Sequence, residues 1–246
     1  MKKIDLGKYA LVLAVIALCT SLLMVFGSSL GLWEPIVGFK ASRQYNDLVG
    51  YMVVLVALVA VIYALSTKQS YIKAIISLIL GIAILGPNLI GKITHTVKYP
   101  PIHDISTDTV TPPEFKQLTD DREGAINTLV YGGDDIAKQQ VIAFPHIKSI
   151  QSPLSPTDAF TKAMHIAKSM GWTMVVENPV TLHYEGTAHT PYFNFADDIV
   201  IRVKARQTGS IIDIRSVSRI GRGDRGVNAQ RISTFIEHFN QANNKA

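Results

Sequence analysis

The sequence predicts an α-helical membrane segment followed by an α+β soluble domain, the latter an antiparallel sheet of about four strands with helices packed on one face. Three observations carry this. Only 17% of the 246 residues are charged while 48% are hydrophobic, against roughly 25% charged in an ordinary soluble protein. The apolar residues concentrate in three long runs before residue 93. Beyond residue 94 the composition changes, and the periodicity reads helix, four strands, helix. The expected division is 1–93 for the membrane part and 94–246 for the soluble part.

The net charge of +5 follows the same division. Residues 1–93 hold eight Lys/Arg and three Asp/Glu, whereas residues 94–246 hold sixteen of each. The excess therefore flanks the hydrophobic runs, where it reads as topology signal and not as a nucleic-acid surface.

The runs are Tyr9–Leu32, Leu48–Leu65 and Tyr71–Gly91, with Lys73 as their one charged residue. At 1.5 Å per residue each reaches about 27–36 Å, enough for a hydrocarbon core of about 30 Å. Lys73 is expected to snorkel to the headgroups. The second and third runs, joined only by Ser66–Ser70, form an antiparallel hairpin. Gly27, Ser28 and Ser29 offer a signal-peptide cleavage site, but the first run continues past a usual signal core and two spans follow it. It is therefore read as a retained helix. Lys2, Lys3, Lys8, Lys68 and Lys73 lie on one side against Lys40, Arg43, Lys92 and Lys98 on the other. This bias puts the N-terminus in the cytoplasm and the C-terminal domain in the periplasm, across a bacterial inner membrane. No span carries Asp, Glu or His at its middle, which argues against a transporter. The single cysteine, Cys19, excludes a disulfide framework and a multi-cysteine metal site. It reads as a membrane-buried thiol.

In the soluble part, Pro100-Pro101 and Pro112-Pro113 impose an extended lead-in over 94–115, a stalk or a strand laid on the domain surface. Ser155-Pro156-Thr157-Asp158 starts a helix with a hydroxyl cap, a proline in the first turn and an early acid; Gly171 ends it. Strands are expected at Trp172–Glu177, Thr181–Glu185, Asp198–Arg206 and Ser210–Ser218, and a last helix from about Asn228. If Thr208-Gly209 is a two-residue hairpin loop, Ala205 faces Ile212 and Val203 faces Ile214 on the buried side. Lys204 then meets Asp213, and Arg202 meets Arg215. Two opposed arginines demand a carboxylate or a bound anion between them.

Seven of the nine arginines fall between residues 202 and 231. Two readings of this cluster stand open. Either it pairs internally, with Asp197, Asp198, Glu185 and Glu177, or it holds an anion. In the second reading Arg202, Arg215, Arg219, Arg222, Asp224, Arg225 and Asn228 form the site, and Gly221, Gly223 and Gly226 admit a ligand to backbone N–H groups ahead of a helix. A membrane lipid headgroup, an anionic small molecule, an envelope polymer or a partner's carboxylate would suit it. The Gly221–Gly226 pattern also matches a dinucleotide fingerprint, but only 20 residues follow Gly226, too few for the second strand that such a site needs. A dinucleotide is therefore not expected, and no cofactor is implied. The embedded Arg222-Gly223-Asp224 tripeptide is read as chance in a Gly- and Arg-rich loop.

An alternative, hydrolase-like reading uses His103 with Asp104 or Asp108 as an acid–base pair. No metal-ligand spacing, nucleophile elbow or catalytic cysteine accompanies them.

Pro101–Asp108 with Pro112-Pro113 and Phe115, Gly171-Trp172, Asp197–Arg202, Asp213–Ser216, Ser218-Arg219, Gly221, Asp224, Gly226, Asn228-Ala229 and Arg231-Ile232 together resemble the bacterial domain-of-unknown-function family numbered fourteen ninety-nine, over about residues 99–240. The resemblance implies a membrane-associated or exported domain and supplies no reaction. It marks His103, Asp104, Arg202, Arg215, Arg219, Asp224 and Asn228 as positions matching the family's pattern.

Overall fold

A computed structural model describes residues 4–94 and 99–241 in two compact units. Lys2, Lys3 and Lys98 of the charge bias lie outside the described residues. The first unit holds α1 (Leu6–Phe26), α2 (Pro35–Ser66) and α3 (Ile72–Thr94), three helices long and apolar enough to cross a membrane. Small residues line their contacts: Ala10, Ala14 and Ala17 of α1, Ala57 and Ala60 of α2, and Ala74 and Ser77 of α3 are all buried. Such residues let helix backbones approach where apolar burial gives no net drive. Lys73 does not simply snorkel: its Nζ sits 2.6 Å from Asp5, which also caps α1 by accepting from Lys8 N–H. The second helix begins at Pro35, 13 residues before the expected Leu48, because a hydropathy run marks the apolar span and not the helix end. Its first turns, bearing Lys40, Arg43 and Asp47, continue the helix with proline at its first position. Cys19 is exposed on α1.

The second unit is α+β. Its sheet has six antiparallel strands rather than four: β1 (Asp104–Ser106), β2 (Ile150–Ser152), β3 (Thr173–Asn178), β4 (His183–His189), β5 (Ala196–Ala205) and β6 (Ser210–Ser218). The spatial order is β1-β6-β5-β4-β3, with β2 on the same edge of β6 as β1 and at the opposite end. The two added strands have three residues each, too short to show alternation. Helices α4 (Gly133–Ala143), α5 (Pro156–Ser169) and α6 (Val227–Gln241) complete the unit. Ser155 caps α5 by accepting from Asp158 N–H, as its sequence requires.

One face of the sheet is apolar. Ile199, Ile201 and Val203 of β5 and Ile212 and Ile214 of β6 pack with Phe160, Ala163, Ile232 and Phe235 of α5 and α6 in a single core. The expected β5–β6 register is corrected by two residues: Ala205 pairs with Ser210, Arg202 with Asp213 and Val200 with Arg215. The loop is therefore four residues long, 206–209, closed by Arg206 N–H donating to Gly209 C=O. Gly209 (φ +85°) lies against the Ser152 carbonyl with no room for a Cβ, so docking of β2 helps to fix the turn. Because strand faces alternate with period two, this shift leaves every side chain on its expected face while changing its partner.

The other face is charged and nevertheless buried. Glu185, Asp198, Asp213 and Arg215 are 0%, 0%, 1% and 2% exposed. Residues 107–131, without regular structure, cover them. The Pro-rich lead-in is thus no stalk over its described part: Asp104–Ser106 joins the sheet and Pro112-Pro113 belongs to the cover.

Candidate functional site

The arginine cluster resolves into paired and unpaired members. Arg215 makes a bidentate pair with Asp104 (Nε 2.9 Å, Nη2 2.7 Å) and donates to the carbonyls of Pro113 and Leu129. Its guanidinium carbon lies 5.5 Å from the Phe115 ring centre and 5.3 Å from that of Tyr131. Arg202 donates to Asp213 (2.8 Å), Asp108 (3.0 Å) and the Thr111 carbonyl. Arg219 binds both oxygens of Asp198 and the Glu123 carbonyl, and Arg122 from the cover reaches the same Asp198. Arg231 holds Asp197 and Asn228. Internal pairing thus accounts for Arg202, Arg215, Arg219 and Arg231. Of the four acids anticipated as partners, Asp197 and Asp198 serve. Glu177 is exposed, and Glu185 binds elsewhere. The opposed Arg202 and Arg215 do not occur, since the register gives Arg202 an acid across the ladder.

The loop after β6 also has structural reasons for its composition. A Cβ on Gly226 (φ +85°) would lie 2.7 Å from the Tyr99 ring, and one on Gly223 would lie 3.0 Å from Pro101 Cα. Asp224 accepts from Gly226 and Asn228 N–H, so the start of α6 already holds a carboxylate. Burial, with the charge of Asp197, raises the Asp224 carboxyl despite those two N–H groups. Asn228 is fully buried and joins Ser216, Ser218, Arg231 and the His103 carbonyl. Asp224 and Asn228 are therefore joints of the fold. Arg222 and Arg225 are different. Both are exposed and neither has a carboxylate partner among the described residues, a condition shared by Arg206 in the β5–β6 turn, but these two lie together in the glycine-containing loop, where Arg225 adopts a left-handed φ of +55°.

His103, Asp104 and Asp108 do not come together as an acid–base pair. His103 Nδ1 lies 3.4 Å from the Arg222 carbonyl, while Asp104 is engaged by Arg215. Neighbours along an extended backbone point to opposite sides, which separates the two. Asp108 folds a turn by accepting from Val110 and Thr111 and meets Arg202. Burial alone would raise the Asp108 carboxyl, but the hydrogen bonds from Thr111 and Val110 and the Arg202 charge outweigh it and hold it below the ordinary range. No group of three or more metal-ligating side chains occurs among the described residues.

The sequence reading missed the seat of Glu185. Its carboxylate accepts from the backbone N–H groups of Lys116, Gln117 and Leu118 and from His183 Nε2 at 2.8 Å. Burial would raise this carboxyl; the His183 hydrogen bond and the three N–H groups prevail and bring it to about 2. The spacing of two puts His183 and Glu185 on one face of a strand, but no spacing signal could have shown the other partners, which are backbone groups nearly seventy residues away.

No curated protein matches the chain. A family model described as a protein of unknown function (DUF1499) matches residues 104–239, from the first residue of β1 into α6, and covers more than half of the chain. With the buried arginine–carboxylate face and the loop of Arg222 and Arg225 both inside the matched region, the chain belongs to the DUF1499 family.

Proposed function

We propose that this protein is a membrane-anchored, non-catalytic binding module that holds an anionic group on the loop 219–226, with Arg222 and Arg225 as the contacting side chains. The observation that carries this reading is the contrast within one cluster. Arg202, Arg215, Arg219 and Arg231 are committed to carboxylates, while these two stand exposed and without one among the described residues. A non-glycine residue held left-handed at Arg225 stores strain of about 1–2 kcal/mol, a feature that gathers at binding loops. The loop packs on Tyr99 and Pro101, which begin the soluble domain in sequence after α3. A lipid headgroup is proposed over the other anionic partners because the same chain carries three helices long and apolar enough to cross a membrane. The same reading places the domain on the periplasmic side of a bacterial inner membrane, as the charge bias suggests.

The test is a thermal melt of the full chain in neutral detergent, titrated with short-chain phosphatidylglycerol and, separately, with phosphatidylcholine. A ligand of the folded state raises the melting temperature with its concentration. The glycerol lipid should do so and the choline lipid should not, and the Arg222→Ala/Arg225→Ala variant should lose the response. An equal response to both lipids, or one that survives in the variant, would refute the assignment.

A further inference from the structure

We infer that residues 107–131 form a strap that lifts off the charged face of the sheet as one unit while the core stays folded, and that the buried Glu185 carboxylate is its latch. A cover that shared the burial of the core would unfold with it. Among the described residues, no apolar side chain of 107–131 belongs to the core cluster. Phe115, Leu118 and Leu129 are half-buried, while Val110, Ile126 and Val130 are 88%, 80% and 74% exposed. Segments with so few buried apolar contacts open in contiguous cooperative units, at a free energy below that of global unfolding.

The strap is fastened by polar contacts with a few side chains of the sheet and the loop that follows it. Glu185 accepts from three successive strap N–H groups, those of Lys116, Gln117 and Leu118. Arg202 donates to Asp108 and the Thr111 carbonyl, Arg215 to the Pro113 and Leu129 carbonyls, and Arg219 to the Glu123 carbonyl. In return Arg122 reaches Asp198, and the N–H groups of Ile126 and Asn127 donate to the Arg219 carbonyl.

These fastenings are unequal. Arg202, Arg215 and Arg219 each hold a carboxylate on the sheet, at Asp213, Asp104 and Asp198, and keep it when the strap leaves. Glu185 keeps only His183 and loses three charge-assisted hydrogen bonds at once. Lifting therefore costs most at Glu185, which makes it the latch. Once lifted, the strap no longer supplies carbonyls to the three arginines, and the N–H groups that it occupied are uncovered. The device controls access to those donors.

The test is amide hydrogen exchange, read by mass spectrometry on the full chain in nanodiscs at neutral pH, under conditions where the rate follows the opening equilibrium. In the wild type the amides of 116–118 should exchange at least about tenfold faster than those of β5 and β6, once intrinsic rates are divided out. Ile232 is fully buried in the core, on the opposite face of the sheet from the strap. Ile232→Val should speed exchange in β5 and β6 about three- to tenfold and leave 116–118 at the wild-type rate, because it weakens the closed and the lifted forms alike. Glu185→Gln, which destabilises the closed form, should speed 116–118 at least about thirtyfold. One common rate for 116–118 and the sheet in the wild type, equal acceleration of both by Ile232→Val, or unchanged exchange at 116–118 in Glu185→Gln would each overturn the inference. The first two comparisons leave Glu185 intact, so they decide even where that variant fails to fold. Arg222 and Arg225 take no part, so the inference stands or falls separately from the anionic loop.

Discussion

Arg215 shows how a charge is kept inside this domain. At 2% exposure it would be ruinous alone, but Asp104 meets it bidentately through Nε and Nη2, two carbonyls take further N–H groups, and the Phe115 and Tyr131 rings lie 5.5 and 5.3 Å from its guanidinium carbon. Arg215→Ala leaves Asp104 buried and uncompensated, so unfolding by denaturant should show a loss of about 3–5 kcal/mol. Arg215→Lys should not rescue it, since an ammonium cannot span a carboxylate and lie flat between rings. Glu185 gives a pH signature. Its carboxyl is depressed to about 2 from an ordinary 4.5, so its stabilisation is complete above about pH 4.5 and is lost as the pH falls towards 2. Acid unfolding of Glu185→Gln should be shallower across that window, with about 2–3 kcal/mol less stability at pH 7. At this scale alternation showed that Arg202 points out of the apolar core, but its acid was misassigned: the expected register set Arg202 against Arg215 and Asp213 against Lys204, whereas Asp213 lies across from Arg202. The mate of Arg215 and the backbone mates of Glu185 were not legible in the sequence: Asp104 stands on a strand of only three residues, and the three N–H groups that hold Glu185 come from a cover that has no periodicity of its own.

At the level of elements, alternation and capping carried most of what could be read. Ser155-Pro156 fixed the start of α5, and Ser210–Ser218 is β6 to the residue. The register failed by two residues because Thr208-Gly209 offers a good two-residue turn, and nothing local reveals that Ser152 packs on Gly209. Likewise α4 was missed because Gln140 is its one buried residue, and that residue is polar. It reaches Ser106 through both amide atoms and so serves as backbone partner to β1. The glycines of 221–226 admitted a ligand-cradle reading, yet Gly226 is required by its left-handed φ and the Tyr99 ring. Gly226→Ala should therefore destabilise the domain by about 1–3 kcal/mol in a melt, with or without any anion present. A neutral effect would return that glycine to a role in binding.

For the molecule as a whole, three apolar helices precede a domain whose buried arginines and carboxylates are paired within it. On the proposed topology that domain lies outside the cytoplasm. Alkaline phosphatase fused after Ala246 should accordingly be active and a fluorescent reporter that folds only in the cytosol should be dark; the reverse pattern would invert the topology. The central claim is a division of labour among arginines of one cluster, with Arg202, Arg215, Arg219 and Arg231 building the fold through their carboxylates and Arg222 and Arg225 meeting a ligand. It is tested most directly by melting two full-length variants side by side, Arg215→Ala and Arg222→Ala/Arg225→Ala, each with and without short-chain phosphatidylglycerol. The account predicts that the first melts early without lipid, whereas the second melts like wild type and fails to respond to lipid. Early melting of the loop variant, or wild-type stability of Arg215→Ala with its lipid response lost, would contradict it.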